Sequence, residues 1–229
     1  GATPAPGAAS VQALPVGDQP VTLDPVDFST TIDNPYWPMT PGDVRVFRET
    51  DSAGADLKVV VTVTSRTEVM ANGVTARVVR DVVTDHGEPV EVTDDWYAQD
   101  SAGNVWYLGE ATAEYKHGKV SSTAGSFEVG VDGAQAGIAM PADPAVGQAY
   151  RQEYYAGEAE DAGEVFSLHE KVEVPFGRFD DAVMTKDTTP IEPDVLEYKF
   201  YVKDIGPVLA LGISGGGARE ELVSFRRGG

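Results

Sequence analysis

The chain has 229 residues, a mass of 24.3 kDa and no cysteine. That excludes disulfides, thiolate catalysis, iron–sulfur clusters and Cys-ligated zinc, and the length suits one sizeable β domain or two small ones. Lys and Arg number 17 against 37 Asp and Glu, a net charge of −20, so the surface repels phosphate backbones and anionic headgroups and no nucleic-acid partner is expected.

Residues 1–20 (GATPAPGAASVQALPVGDQP) contain four prolines and no apolar period. Residues 1–24 therefore read as a disordered Pro/Ala-rich tether ahead of a single β domain over 25–229. No apolar run approaches the roughly 18 to 20 residues of a membrane span, so no transmembrane segment is expected. A chain opening on Gly1 and this tether predicts a secreted or extracytoplasmic protein, lipid-anchored through a removed leader.

Residues 27–43 (DFSTTIDNPYWPMTPGD) hold Pro35, Pro38 and Pro41 around Tyr36 and Trp37 and read as a plug at one end of a barrel. From residue 43 on, β-branched and aromatic runs separated by Gly, Asn and Asp predict about a dozen antiparallel strands. Residues 57–70 and 74–84 make the clearest hairpin, turned at Asn72-Gly73. Short turns such as Asp85-His86-Gly87 and Lys116-His117-Gly118 favour an all-β, up-and-down meander, closed or strongly curved like a barrel, with few helices. Residues 124–147, with five glycines, break the pattern. Their apolar Phe127, Val129, Ile138 and Met140 predict a lid or end cap packed on the sheet. Gly215-Gly216-Gly217 reads as a hairpin turn rather than a phosphate cradle.

A four-residue loop at 100–103 pairs Tyr97 with Trp106 and Trp96 with Tyr107, placing aromatics on both faces of one hairpin. One face serves the core, and the other lines a cavity that stacks a flat ligand. On the later run 148–157, Arg151, Glu153 and Tyr155 share a face with Val165 and Ser167 opposite, polar enough for a site. Asp94, Asp95 and Asp100, or Glu158, Glu160 and Asp161 in the next loop, offer oxygens for calcium or another divalent cation, although no EF-hand spacing is present and the default is no cofactor. Glu153 paired with Asp94 or Glu164 is the candidate acid/base couple of a hydrolase. The three histidines form no convergent cluster.

The stretches Asp100 to Glu110 (DSAGNVWYLGE), Gln148 to Asp161 (QAYRQEYYAGEAED) and Ile32 to Gly42 resemble a family of exported bacterial β-rich proteins, over most of residues 27–213. The resemblance implies export and a β-rich fold and carries no reaction. Glu197 to Val208 (EYKFYVKDIGPV) is similar to the YYAxGVGLV strand-turn-strand of exported β-sheet lipoproteins. Asp204 replaces the first turn glycine and Pro207 the apolar residue after the second.

Three functions follow as expectations. The first is an exported domain binding a small molecule in an aromatic-lined acidic cavity, with Trp96, Tyr97, Trp106 and Tyr107 as walls and Arg151, Glu153 and Tyr155 as polar contacts. The second is an enzyme in the same cavity with a carboxylate general acid/base, Glu153 or Asp94. The third is a module whose acidic face binds a metal or docks a basic protein.

Overall fold

A computed structural model describes residues 13–214 and 217–229. Among them are sixteen strands in one antiparallel sheet and a single 3-10 turn at Pro25–Asp27, which is the all-β meander that the period of two predicts. β1 (Phe28–Ser29) pairs the end of the β5 strand named next. β2 (Val44–Thr50), β3 (Asp56–Val69), β4 (Thr75–Asp85), β5 (Glu88–Asp100) and β6 (Val105–Lys116) then follow as consecutive hairpins. Short β7 (Lys119–Ser122) and β8 (Phe127–Glu128) lie on β6, and β9 (Gln135–Met140) pairs β6 nearer its start. The wall continues through β10 (Ala149–Arg151), β11 (Glu153–Tyr154), β12 (Ala162–Val174), β13 (Gly177–Thr188), β14 (Leu196–Val202), β15 (Gly206–Ser214) and β16 (Arg219–Arg226).

Two joints turn this sheet into a nearly closed barrel, which removes exposed edges. β16 pairs with β2, bringing the last strand beside the first long one. At the second joint, β10 pairs β12 while β11, one residue further on, pairs β9. The switch occurs at Gln152, where the successive N–H groups of Gln152 and Glu153 both donate to the Asp161 carbonyl, at 2.8 and 3.4 Å. Such a bulge re-aims the chain. Close approach there requires Gly137, since a Cβ on it would lie 2.2 Å from the Gln152 backbone.

The turns follow local chemistry. His86-Gly87 and His117-Gly118 have positive φ at both positions (+49 and +85°, +53 and +75°), the conformation that two-residue hairpin turns need. These histidines are turn residues. At the lipoprotein-like turn Asp204 takes the left-handed φ of +67° ahead of Gly206 at +100°, so the substituted glycine does not change the turn's sense. The Asp204 N–H donates to Pro35 O at 2.6 Å, helping to hold the proline-rich segment to this end of the barrel. Of the glycine turn, residues 215 and 216 lie outside the described residues.

Two segments differ from expectation. Residues 124–147 are no lid: β9 is a stave of the wall, with Ile138 and Met140 fully buried. The apolar run needed two flanking strands, and tertiary pairing supplied them. Of the segment read as a tether, residues 1–12 lie outside the described residues, and 13–24 pack on the barrel. Leu14 is buried with the core, Val21 and Leu23 pack against it, and the Pro15 carbonyl accepts from the Arg151 N–H. Residues 27–43 run from β1 on the rim to the buried Ile32 and Met39.

Candidate functional site

The site begins with a bulge. β5 and β6 are in register through Asp95↔Glu110 and Trp96↔Gly109, then shift so that Tyr97 faces Tyr107 and Ala98 faces Trp106. The expected pairing of Tyr97 with Trp106 and Trp96 with Tyr107 is therefore corrected: Leu108 is the extra residue, which a regular hairpin count does not include. Its consequence is chemical. Tyr107 and Glu110 are three residues apart and would face opposite sides of a regular strand, yet the bulge puts both beside Asp95 and Tyr97. Gly109 permits it, with φ of +133° and no room for a Cβ, which would sit 2.2 Å from the Phe127 carbonyl of β8.

The inward face of this hairpin lines a two-lobed cavity. One lobe, about 260 Å³, is bounded by Trp37 and Met39 from the plug, Asp81 (β4), Asp95 and Tyr97 (β5), Tyr201 (β14) and Glu220 (β16). The second, also about 260 Å³, adds Tyr107 and Glu110 of β6, Glu153 of β11 and Asp161. Trp37, Tyr97, Lys199 and Tyr201 border both lobes. The Trp37 ring centroid is 5.6 Å from those of Tyr97 and of Tyr201, and Tyr97 is 5.2 Å from Tyr107, distances typical of packed aromatic pairs.

Carboxyl groups crowd this interior. The Tyr107 hydroxyl is 2.7 Å from Asp95 Oδ1 and 2.9 Å from Glu110 Oε2. Burial, then the neighbouring Glu110 charge, pushes the Asp95 carboxyl well above the usual carboxylate range, and burial pushes Glu110 in the same direction. Burial, followed by repulsion from Glu91 and Glu110, raises Asp81 to about 7, and its Oδ1 is enclosed without a hydrogen-bond partner. Glu220 is raised to about 7 by burial and then Glu49. In the second lobe burial and Asp161 raise Glu153 to about 9. Such displacements of carboxyl groups in a cavity are a marker of functional sites.

The two cations of the lining are engaged. Burial works most strongly to lower the Lys199 pKa, but Asp187, with Oδ2 at 3.1 Å from Nζ, together with Tyr201 and Glu197 outweighs it and holds the ammonium above its ordinary value. Asp187 also accepts from Thr185 Oγ1 at 2.8 Å and Gln152 Nε2 at 3.1 Å. Arg45 donates to the carbonyls of Ile205, at 2.7 Å, and Pro38, at 2.8 Å, and lies over the Phe225 ring. Burial lowers its pKa to about 10, leaving it charged at neutral pH.

Of the residues singled out in the sequence, Tyr97, Tyr107 and Glu153 come together in the cavity. Trp96 and Trp106 are buried on the opposite face, where Phe28 packs edge-on against Trp106 at 6.1 Å and Asp100 accepts from its indole N–H at 2.9 Å. Arg151 does not face Val165 and Ser167. Its partner is Ala162, because the strand ends at the Gln152 bulge, and its guanidinium donates to the Gly17, Gln19 and Ala136 carbonyls. Tyr155 sits in the turn that its N–H closes on Ala159, packed near Phe127. Asp94 meets Arg66 at 3.3 Å on the outer side, and the exposed Glu164 pairs across from Ala149, so neither stands with Glu153 in the cavity lining. Among the described residues no three His, Asp or Glu side chains converge to hold a metal. Glu160 instead accepts from the Gly157 N–H, Asp161 turns to the cavity, Glu158 is exposed, and Asp100 caps its own loop by accepting from the Ala102 and Asn104 N–H groups. Sequence reading missed Lys199 and Tyr201 as site residues, although the alternation Glu197, Lys199, Tyr201 in one strand is a legible signal.

No family model matches the chain, and no curated protein matches it by sequence. Among solved structures it is similar to a Bacteroides fragilis protein described as exported, with a YmcC-like fold, at 14% identity and a TM-score of 0.51 over 85% of this chain and 100% of that one. A lipoprotein structure from Parabacteroides distasonis also aligns, at 14% identity and a TM-score of 0.45 over 83% and 98% of the two chains. At this identity the first likeness is one of fold. Among the described residues no helix is long and apolar enough to cross a membrane.

Proposed function

We propose that this protein is an exported binding domain that takes a small molecule inside the barrel, between the aromatic group of Trp37, Tyr97, Tyr107 and Tyr201 and the carboxyl groups around them. The observation that carries this reading is a preformed cavity of two lobes, about 260 Å³ each, in a barrel of this size. A barrel with no ligand to hold gains stability by filling that space with apolar side chains. Here the wall instead carries carboxyl groups, buried at a cost in desolvation that raises their pKa values. Export rests on the sequence profile and on the name given to the fold neighbour. Thermal-shift screening of a small-molecule library, followed by crystal soaks, tests it. Upward shifts that vanish when Ala139→Trp fills the second lobe or Ala210→Trp the first, each residue lining that lobe, support binding, and no shift from any compound overturns it.

One observation favours a second reading, an enzyme with Glu153 as general acid. Glu153 keeps its proton up to about 9 beside Asp161 in the second lobe, which suits a proton donor at neutral pH. Turnover of any bound compound that Glu153→Gln abolishes without weakening binding would favour it over simple binding.

A further inference from the structure

We infer that the ligand is an organic cation, whose ammonium group sits in the first lobe against the Trp37, Tyr97 and Tyr201 rings with Asp81 as its counter-charge. The inference rests on the cavity reading above and names the ligand's chemistry.

The first argument is charge balance. Asp81, Asp95, Glu197 and Glu220 line the first lobe against Lys199 and Arg45. Both cations are spoken for, Lys199 by Asp187 and Arg45 by two backbone carbonyls. Lys199 also acts on Glu197 and Glu220, yet four acids line the lobe against two cations, and an anionic guest would add to the repulsion. A neutral apolar guest would bury them further without a partner, which is costly.

The second argument is an open acceptor. Asp81 Oδ1 is enclosed in the wall and has no hydrogen-bond partner, although buried polar atoms are nearly always paired. Asp81 borders the lobe, and it is its other oxygen, not the enclosed Oδ1, that a guest's donor meets; an ammonium group has donors and no acceptor.

The third is the aromatic lining. Trp37 packs on Tyr97 and on Tyr201, tilted by 50° and 46° at 5.6 Å, and all three residues border the first lobe. Rings grouped this way attract a cation through their quadrupoles, an attraction that grows when water is excluded. Aromatic rings alone would serve any flat guest. Carboxyl groups in excess of the lobe's cations select a positive one.

The test is calorimetric titration of the intact protein at about pH 8 with phenethylamine, 2-phenylethanol and 3-phenylpropionate, three guests of one shape and different charge. We expect the ammonium probe to bind at least about tenfold more tightly than the alcohol and the carboxylate not to bind. Asp81→Asn keeps the side-chain shape and removes the charge, so it should bring the ammonium and alcohol probes to within about threefold of each other. Equal binding of the alcohol and ammonium probes in the unmodified protein overturns the cation assignment and leaves the cavity reading standing. No binding of any of the three, with the fold intact by circular dichroism, overturns both.

Discussion

The Tyr107 hydroxyl lies 2.7 Å from Asp95 Oδ1, and Glu110 Oε2 is 2.9 Å from the same phenol oxygen. A phenol has one proton, so it cannot donate to two carboxylates at once; one of the two acids is protonated and completes the pair. Tyr107→Phe removes the shared partner. We expect a loss of about 1–3 kcal/mol in stability at neutral pH and a further rise in the carboxyl pKa values, since the phenol bond favours the charged forms of both acids. Urea unfolding of the two proteins at several pH values reads both effects. An unchanged midpoint would mean that the phenol contributes nothing there.

The raised carboxyl groups make stability depend on pH with a definite sign. Asp81, Glu220 and Glu153 bind protons more tightly folded than unfolded, so their favourable contribution is complete below the unfolded value of about 4. It is lost as pH rises through the folded values, about 7 for Asp81 and Glu220 and about 9 for Glu153. The slope is on the order of 1 kcal/mol per pH unit for each group inside its window. Thermal midpoints should fall from pH ~5 to pH ~9, and Asp81→Asn should flatten the part of that curve below pH ~7 and raise the midpoint at its alkaline end, leaving the part above pH ~7 to Glu153. A midpoint that climbs with pH would contradict the burial of these acids.

Asp187 holds Lys199 against the cavity wall. Asp187→Asn leaves the ammonium without its counter-charge, which in a deep pair costs about 3–5 kcal/mol. The Lys199 side chain retains 36% of its exposure while Asp187 has 8%, so water screens part of the loss and about 2 kcal/mol is expected. Guanidinium unfolding gives the value.

Barrel closure rests on a close backbone approach. Gly137→Ala places a methyl group 2.2 Å from the Gln152 carbonyl carbon, and relief requires the β9–β11 seam to part. A loss of about 3 kcal/mol or more is expected. Faster amide exchange at Glu153 and Tyr154 than elsewhere in the wall would locate the damage, whereas a uniform change would place it outside the seam.

Arg151 anchors the leading segment. At 1% exposure it donates to Gly17, Gln19 and Ala136 carbonyls. Arg151→Lys cannot span those acceptors with one compact ammonium, and about 2–3 kcal/mol is expected to be lost, with proteolysis near residues 13–24 increasing before global unfolding.

Much of the wall was legible because hairpins are local. The runs 57–70 and 74–84 became β3 and β4 within a residue or so of their ends, since alternation and an Asn-Gly turn act between neighbours in the chain. The cavity was only half legible. Aromatics on both faces of the 90–110 hairpin followed from alternation, whereas the choice of Tyr97 and Tyr107 over Trp96 and Trp106 depended on a one-residue bulge and on Phe28 covering the other side. A run of glycines and apolar residues at 124–147 gave no sign that it would become a stave, because its strand character comes from β6 and β11 on either side.

By itself, then, the order of residues determined an all-β meander of about a dozen staves, an acidic character and the absence of any thiol chemistry. Each depends on composition or on contacts a few positions apart. The tertiary structure decided which carboxyl groups lost their water, that Lys199 and Arg45 were already engaged, and that Trp37 came in from a distant plug to meet Tyr97 and Tyr201. Those outcomes depend on closing the sheet, an event between residues far apart in the chain, and desolvation of a charge has no local signature in sequence.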